Sequence, residues 1–421
     1  MMKILILSDS FPPDQQGGAG IIAYRLALEF RHTGHPVSAI TATSGENREI
    51  EKDGIKVYQL HSCYPDRFRA YYSLYNPQVI ATIRQLIQRI APDVVYTHNV
   101  HQRLSYHSLK IANSLGIPVF LTAHDAMSFS YGKLTSFINP NDLSIPESFN
   151  YHLSPWVSLR KQRFRYFPLR NIIVRWYLRK NANRIISVSN ALKQAMEDNG
   201  IENIQTIHNG IDPNAMKVDP RHINQFITRF GLEGKKAVLF GGRLSYLKGG
   251  VHLLKVMQHV VKKVKDVVLL VIGQQNNYSE DLSKVAVDFG IHDRVIFTGW
   301  INGSDLKSAY AASTLVAVPS ICFDSFPVMN MEAMAAGKPV VATCFGGSRE
   351  IVLDGETGYI VNPFNVEMMA DRIVSLLLYN KKCKQMGESG YHRVTEHFTI
   401  KHSAQKYLDL FSEVMDTQQS S

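Results

Sequence analysis

Short apolar runs alternate with longer amphipathic stretches along this chain, and the alternation starts twice. In the first half, residues 21–32 and 76–90 carry apolar positions at helical spacing. Strand-like runs separate such stretches: KILILSD, PVSAITA, IKVYQL, DVVYTH, PVFLTAHD and RIISVSN. Because this alternation is typical of a doubly wound parallel sheet, the first half is predicted to be a Rossmann-like α/β domain.

The second half repeats the pattern with strands of its own: KAVLFGG, VVLLVIG, RVIFTGW, LVAVPS, PVVATC and GYIV. Helices are predicted between them at residues 251–264, 280–289, 305–312 and 331–336. The turn-rich stretch IHNGIDP separates the two series. We therefore predict two domains facing across a cleft, residues 1–208 and 209–397, then an amphipathic helix at 398–416 and a disordered tail at 417–421.

Charge and cysteine usage narrow the class of protein. A net charge of +10 favours an anionic partner, which charge alone leaves open as a nucleotide, a nucleic acid or an anionic membrane. The four cysteines show no CxxC spacing, so neither a zinc site nor a disulfide scaffold is indicated and a cytoplasmic location is expected. No run approaches the ~18 apolar residues of a membrane-spanning helix.

A basic and aromatic insertion interrupts the regular pattern at about residues 128–183, where no clean strand is found. Within it, residues 156–184 hold nine Lys or Arg and no acid. Three interpretations stay open: a helix pair covering the first sheet, a face that docks on an anionic membrane, or a nucleic-acid surface. The membrane interpretation places five aromatic residues at the lipid headgroups: Trp156, Phe164, Phe167, Trp176 and Tyr177.

Two motifs of the second half predict an anion site. Strand LVAVPS leads to Asp324, and Glu332 follows eight positions later in what we predict to be the first turn of a helix, whose free amides favour a bound diphosphate. Glu332 could accept hydrogen bonds from a ribose and Asp324 from a hexose. After strand KAVLF, the turn GGRLSYLKGG carries Arg243 and Lys248, which could neutralise the same diphosphate.

Two weaker clusters lie in the first half. The turn Gly17-Gly18-Ala19-Gly20 follows the first strand and would allow close backbone approach to a phosphate or sugar, although its spacing is not a dinucleotide fingerprint. His98 and His124 each follow a strand. A buried, satisfied histidine is the ordinary interpretation of both, and a crevice-facing side chain is the functional one.

Taken together, GGAG, AHD, HNGID, GGRLSYLKGG and the D-x7-E segment resemble the retaining glycosyltransferase family 4, over nearly the whole chain. The resemblance implies the GT-B fold, with the final helix returning to the first domain. It implies transfer of a hexose from a nucleoside-diphosphate sugar, UDP first and GDP second, to a glycan or glycolipid acceptor. Its acceptor site would lie mostly in the first domain, with a peripheral position on the cytoplasmic face of the membrane.

The resemblance also implies roles for individual residues. Arg243 and Lys248 would bind the diphosphate and Glu332 the ribose, while His124 would lie beside the transferred sugar. The remaining donor-binding residues would be Gly17, Gly18, Ile301, Asp324, Ser325, Phe326, Pro327 and Val328. Asp324 departs from the family, which usually has glutamate there, and the residues after AHD also differ.

No carboxylate in these clusters is placed as a covalent nucleophile, so a front-face transfer is expected. No metal or other cofactor is expected, because DxD is absent and the cations supply the charge. Two other functions remain open: a nucleotide-sugar 2-epimerase of the same fold, and a non-enzymatic membrane-binding or nucleic-acid-binding scaffold. The basic insertion disfavours the epimerase, and the paired donor motifs disfavour the scaffold, leaving nucleic acid as the less expected partner.

Overall fold

A computed structural model describes residues 1–13, 17–163 and 167–419 of the chain. The chain forms two compact units. The first comprises Met1–Phe137, Asn150–Gly210 and Ile400–Ser421, and the second comprises Ile138–Phe149 and Ile211–Thr399. The prediction that all of residues 128–183 belongs to the first domain is therefore wrong for residues 138–149.

The first unit is organised around one sheet, in which the described residues form eight strands in the order β3-β4-β2-β1-β5-β6-β7-β8. All pairings are parallel except that of β3 with β4. The strands are β1 (Ile4–Leu7), β2 (Val37–Thr43), β3 (Arg48–Lys52), β4 (Ile55–His61), β5 (Val94–Thr97), β6 (Val119–Ala123), β7 (Arg184–Ser187) and β8 (Ile204–Thr206).

The second unit contains a parallel sheet, with six strands among its described residues in the order β11-β10-β9-β12-β13-β14. These are β9 (Lys236–Gly241), β10 (Val267–Ile272), β11 (Val295–Gly299), β12 (Leu315–Val318), β13 (Val340–Thr343) and β14 (Gly358–Val361). Strands β10, β12, β13 and β14 are buried along their whole length. Burial on both faces explains why they are apolar throughout rather than alternating.

Helices connect the strands in both units. In chain order they are α1 (Gly18–His32), α2 (Arg69–Tyr72), α3 (Ile80–Ile90), α4 (His107–Ser114), α5 (Pro155–Gln162), α6 (Arg170–Asn181), α7 (Asn190–Glu197), α8 (Pro220–Phe230), α9 (Gly250–Lys263), α10 (Asn277–Asp288), α11 (Gly303–Ala312), α12 (Val328–Ala335), α13 (Ser348–Ile351), α14 (Val366–Leu378), α15 (Asn380–His397) and α16 (Ile400–Gln419). Within the described ranges, no helix combines the length and the apolar character needed to cross a bilayer.

The strand order reverses direction once in each sheet. In the second unit the reversal lies between β9 and β12, and in the first unit it lies between β1 and β5. In open α/β sheets the loops that leave such a pair of strands diverge and open a crevice where ligands bind. We therefore expect ligand sites among the residues that follow β9 and β12 in the second unit and β1 and β5 in the first.

Helix α16 completes the core of the first unit. The Phe411 ring lies 5.9 Å from Phe30 and 4.6 Å from Phe120, and the Tyr407 hydroxyl is 3.0 Å from Thr122 Oγ1. Tyr407 and Phe411 are fully buried. The predicted tail at 417–421 is wrong for residues 417–419, which continue α16, and residues 420–421 lie outside the described part.

The predicted insertion holds α5 and α6 and, among its described residues, no strand. Trp156 and Trp176 are 76% and 48% exposed. Tyr177 is only 9% exposed, so the prediction that it lies at lipid headgroups is wrong: it belongs to the inner face of α6. Phe164 lies outside the described residues.

Candidate functional site

The loops after β9 and β12 meet at the switch point of the second unit. The Ile321 amide donates to the Leu247 carbonyl oxygen at 2.9 Å, which joins the two loops. Gly249 ends the first loop with φ +78°, and a Cβ atom there would collide with the Pro319 carbonyl oxygen. A glycine is therefore required for this close approach.

Lys248 and Asp324 form an ion pair across these loops. The Lys248 Nζ atom donates to Asp324 Oδ2 at 2.6 Å, and Ser320 Oγ donates to the same oxygen at 3.0 Å. Burial alone would lower the pKa of Lys248, but the Asp324 carboxylate outweighs it and raises the pKa above its usual value. The lysine therefore keeps its positive charge across the physiological range.

Arg243 lies in the same turn and is exposed, in contrast to the paired Lys248. It follows Gly242, whose φ of +104° turns the chain away from the end of β9. A planar guanidinium can bind two oxygens of one phosphate at once. The turn thus carries one cation fixed by an acid and one facing solvent.

The second acid of the D-x7-E segment has a protein partner of its own. Glu332 Oε2 accepts a hydrogen bond from the Tyr310 hydroxyl at 2.9 Å. Burial, with the nearby Glu332 carboxylate, raises the pKa of Tyr310 well above its usual value, so the phenol stays a donor. The prediction that Glu332 lies in the first turn is wrong, since α12 begins at Val328 and Glu332 is its fifth residue.

The other predicted donor-binding residues of the second unit border α12 or follow β11. Ser325, Phe326 and Pro327 are buried and precede the helix, with Pro327 as its N-cap. The first amides of a helix have no partner within it, so this end can receive an anion. Ile301 is 8% exposed and follows β11, on the opposite side of β9 from β12.

In the first unit, the glycine cluster opens α1. The Gly17 amide donates to Ser10 Oγ at 3.3 Å, and Gly18 is exposed, with open space where a Cβ atom would lie. Gly20 has a different role, because a Cβ atom there would collide with the Ser10 carbonyl oxygen. Gly20 is thus required for packing, whereas Gly18 leaves the backbone accessible.

The two predicted histidines are in direct contact. His98, which follows β5, places its Nδ1 atom 2.8 Å from Nε2 of His124, which follows β6. His98 is fully buried and His124 is half-buried. Burial lowers the pKa of His98 well below its usual value and that of His124 to about 4. Both rings are therefore neutral at pH 7, and the N–H group of one donates a hydrogen bond to the ring nitrogen of the other.

Two carboxylates lie near the ends of strands of the same sheet, and sequence reasoning gave neither a role: Asp125 interacts with His124, and Asp9 interacts with His101. Asp9 accepts from the amides of Gln102, Arg103 and Leu104 at 2.7 to 2.8 Å, and burial nevertheless raises its pKa. Asp125 accepts from Asn99 Nδ2 at 3.0 Å; burial opposes its charge, but His101 and the Met127 amide lower its pKa. Their positions directly after β1 and β6 were the available signal.

Each unit thus brings together part of the predicted set. Lys248, Asp324 and Arg243 meet at the second switch point, whereas Glu332 is engaged by Tyr310. His124 meets His98 at the first. In the part of the chain that the structure describes, no group of three His, Cys, Asp or Glu side chains is arranged to hold a metal ion.

Comparison with known families assigns both halves of the chain. Residues 16–215 match the family described as "Glycosyltransferase Family 4", and residues 224–393 match "Glycosyl transferases group 1". The two matches do not overlap, and their boundary falls close to the transition between the units at Gly210 and Ile211.

Individual relatives agree with these matches. The chain is 26% identical over 385 residues to an uncharacterized glycosyltransferase, MJ1607, of Methanocaldococcus jannaschii, covering 89% of each protein. It is 27% identical over 217 residues to a GDP-mannose-dependent alpha-(1-6)-phosphatidylinositol monomannoside mannosyltransferase of Mycolicibacterium smegmatis, covering 50% of this chain and 56% of that protein.

Among solved structures, that of Alr3699/HepE from Anabaena in complex with UDP has a similar fold. The TM-score is 0.72 at 21% identity, with 98% of this chain and 100% of that chain covered. The match extends over both units and confirms the predicted GT-B fold.

Proposed function

Since this chain is a glycosyltransferase of the family 4 type with the GT-B fold, we propose that it moves a hexose, with retention of configuration, from a nucleoside-diphosphate sugar to an acceptor hydroxyl. The observation that carries the proposal is the Lys248–Asp324 pair beside Arg243 at the switch point of the second unit. Two cations and the start of α12 supply the charge that a departing diphosphate needs.

The roles of these groups follow from their chemistry. Arg243 and Lys248 stabilise the negative charge that grows on the diphosphate as the bond from its oxygen to the anomeric carbon breaks. Asp324 fixes Lys248 and accepts from a sugar hydroxyl, while Glu332 accepts from the ribose. The acceptor hydroxyl attacks from the face that the diphosphate leaves, and its proton passes to a diphosphate oxygen.

Neutral histidines suit the sugar side of this reaction. A neutral imidazole can both donate and accept, as a sugar hydroxyl does, and it does not compete with the cations for the diphosphate. We assign His124 to the transferred sugar, with His98 holding its ring. Metal independence is part of the proposal: full turnover in excess chelator supports it, and a strict need for magnesium would refute it.

Two relatives bear on the donor and the acceptor. The Anabaena structure of the same fold is a complex with UDP, which supports a UDP-sugar, whereas the mycobacterial relative is named for GDP-mannose. The name of the mycobacterial relative also refers to phosphatidylinositol monomannoside, a glycolipid, which supports a lipid-linked acceptor.

Thermal stabilisation by a panel of UDP, GDP and their sugar conjugates, with chelator present, tests the donor site. A ligand at 100 times its dissociation constant adds about 2.7 kcal/mol to the free energy of unfolding. One base should stabilise the wild type, and Lys248→Ala should lose that stabilisation. The proposal is refuted if no nucleotide stabilises the protein and none supports sugar transfer.

A further inference from the structure

Helix α6 is apolar on two opposite faces, and the described residues cover only one of them. Val174, Tyr177 and Leu178 are buried, and α6 packs on α4 in the first unit. On the other face, Leu169, Ile172 and Trp176 follow at helical spacing and are 53%, 54% and 48% exposed. A solvent-facing row of Leu, Ile and Trp has no use in the fold itself, and such a patch on a soluble unit marks an interaction surface.

A second exposed apolar group lies beside this row. Phe68, Tyr71 and Tyr75, in and around α2, are 41%, 49% and 49% exposed. The Tyr71 ring stacks on Phe167, which lies just before α6, at 5.2 Å. Arg170 Nε donates to Ser73 Oγ at 3.2 Å, which ties the start of α6 to the residues after α2. We call these six residues, Phe68, Tyr71, Tyr75, Leu169, Ile172 and Trp176, the α2–α6 surface.

A chain of aromatic contacts connects the far ends of this surface. Tyr75 lies 4.9 Å from His107, whose Nδ1 atom is 3.0 Å from the Tyr177 hydroxyl. The Tyr177 ring in turn lies 5.1 Å from Trp176. The two groups of exposed side chains are therefore connected by one continuous set of packed rings.

The charges around the surface are mostly positive. Arg179 and Lys180 are exposed at the end of α6, on the face that carries Ile172 and Trp176, and Arg67 is exposed beside Phe68. Residues 156–184 contain no acid, and Asp66 is the neighbouring acid on the α2 side. Not all the cations of the insertion are available: Arg170 is fully buried, and Arg175 donates to the Asn199 carbonyl oxygen.

We propose that the α2–α6 surface docks this enzyme on an anionic lipid bilayer. Trp and Tyr rings suit the level of the headgroups, Leu169 and Ile172 reach the acyl boundary, and Arg179 and Lys180 contact anionic headgroups. The aliphatic residues decide against nucleic acid, because Leu and Ile offer no ring for base stacking and no charge for phosphate. Docking here goes beyond sugar transfer and gives the enzyme access to acceptors that stay in a membrane.

Sedimentation of the full chain with vesicles tests this surface. The vesicles consist of phosphatidylcholine with or without phosphatidylglycerol. Ile172→Ser with Trp176→Ser removes the apolar contribution, and Arg179→Glu with Lys180→Glu reverses the charge. Matched controls are Val287→Ser with Leu378→Ser and Lys235→Glu with Lys262→Glu, all exposed positions of the second unit.

We expect the wild type to bind vesicles that contain phosphatidylglycerol. The apolar variant and the charge-reversal variant should each bind at least about tenfold more weakly, and both controls should bind like the wild type. Leu169→Ser, at the start of α6, serves as a second apolar variant in case removal of Trp176 lowers the melting temperature. Unchanged binding of the apolar variants, equal loss in the controls, or no binding by the wild type would overturn the proposal.

A single-stranded oligonucleotide identifies the alternative partner. If the wild type binds it, the charge-reversal variant loses it and the apolar variant retains it, the surface is a nucleic-acid site and the proposal falls. Vesicle binding is measured without donor or acceptor, so its failure leaves the donor-site proposal intact. Failure of the nucleotide panel likewise leaves vesicle binding intact.

Discussion

A salt bridge lies at the switch point of the second unit, whereas two neutral histidines are in contact at that of the first unit. Lys248 pairs with Asp324 in the one, and His98 contacts His124 in the other. Lys248 stays charged because the Asp324 carboxylate outweighs its burial, whereas burial lowers the pKa of both histidines and keeps them neutral. One topological position thus holds a paired charge in one unit and two neutral rings in the other.

The largest expected effect comes from removing the paired cation. Lys248→Ala should lower kcat/KM about 100- to 1,000-fold, because it removes charge stabilisation from the leaving group. The free energy of unfolding should fall by about 1–3 kcal/mol, since Asp324 keeps a partly buried charge without its ammonium partner. Steady-state kinetics and urea unfolding measure the two effects.

The double variant Lys248→Ala with Asp324→Ala is the control for this prediction. It removes both charges, so part of the stability should return while the activity stays low. Wild-type turnover of the Lys248→Ala enzyme would show that the reaction does not use the charge of Lys248.

A smaller loss is expected from the exposed cation. Arg243→Ala should lower kcat/KM about 10- to 100-fold, while unfolding changes by no more than about 0.5 kcal/mol because the side chain is exposed. Arg221, whose side chain is 86% exposed, provides the matched Arg→Ala control, which should be inert in both assays. Equal rates in the two variants would show that Arg243 does not contact the donor.

The Glu332 carboxylate separates donor binding from the chemical step. Glu332→Gln should raise the donor KM about tenfold with little change in kcat, because a ribose contact is the same in the ground state and the transition state. Tyr310→Phe removes only the hydrogen bond to that carboxylate and should raise KM less. A fall in kcat with unchanged KM would instead assign Glu332 to the reacting sugar.

The pH dependence of stability tests whether the fold keeps His124 neutral. Folded His124 takes up its proton only near its pKa of about 4, whereas the unfolded side chain does so near 6.5. The unfolded chain therefore binds more protons between these values, and stability should fall as pH decreases from about 6.5 towards about 4, by up to about 2 kcal/mol at pH 5 for this residue.

Melting temperatures at pH 7 and pH 5 measure this dependence. His124→Gln should lose less stability between the two pH values than the wild type does. His292→Gln, at an exposed position, should behave like the wild type. Identical slopes in all three proteins would mean that His124 is not held neutral by the fold.

Much of the fold could be predicted because buried parallel strands consist of continuous runs of apolar residues. All six strand-like runs of the second half became β9 to β14. The two missed strands, β3 and β8, lie at the edges of the first sheet. β3 has the charged sequence REIEK, and β8 is three residues long, so neither carries an apolar signal.

The site was predictable where its contacts are local to a motif. Lys248 and Asp324 lie in the two loops that leave the switch strands, so topology alone brings them near each other. The three amides that hold Asp9 come from more than 90 positions away, and Tyr310 reaches Glu332 from a different helix. No local sequence pattern indicates such partners, because they come from distant parts of the chain.

The return of α16 to the first unit has a consequence for biosynthesis. The chain is made from its amino end, so the whole second unit emerges before Tyr407 and Phe411 can fill the core around Phe30 and Phe120. Until then the core of the first unit lacks these two rings, and Phe30 and Phe120 lack their contacts with Phe411. The first unit can therefore complete its core only after the second unit has been made, and a nascent chain interrupted before α16 would carry one complete unit and one incomplete unit.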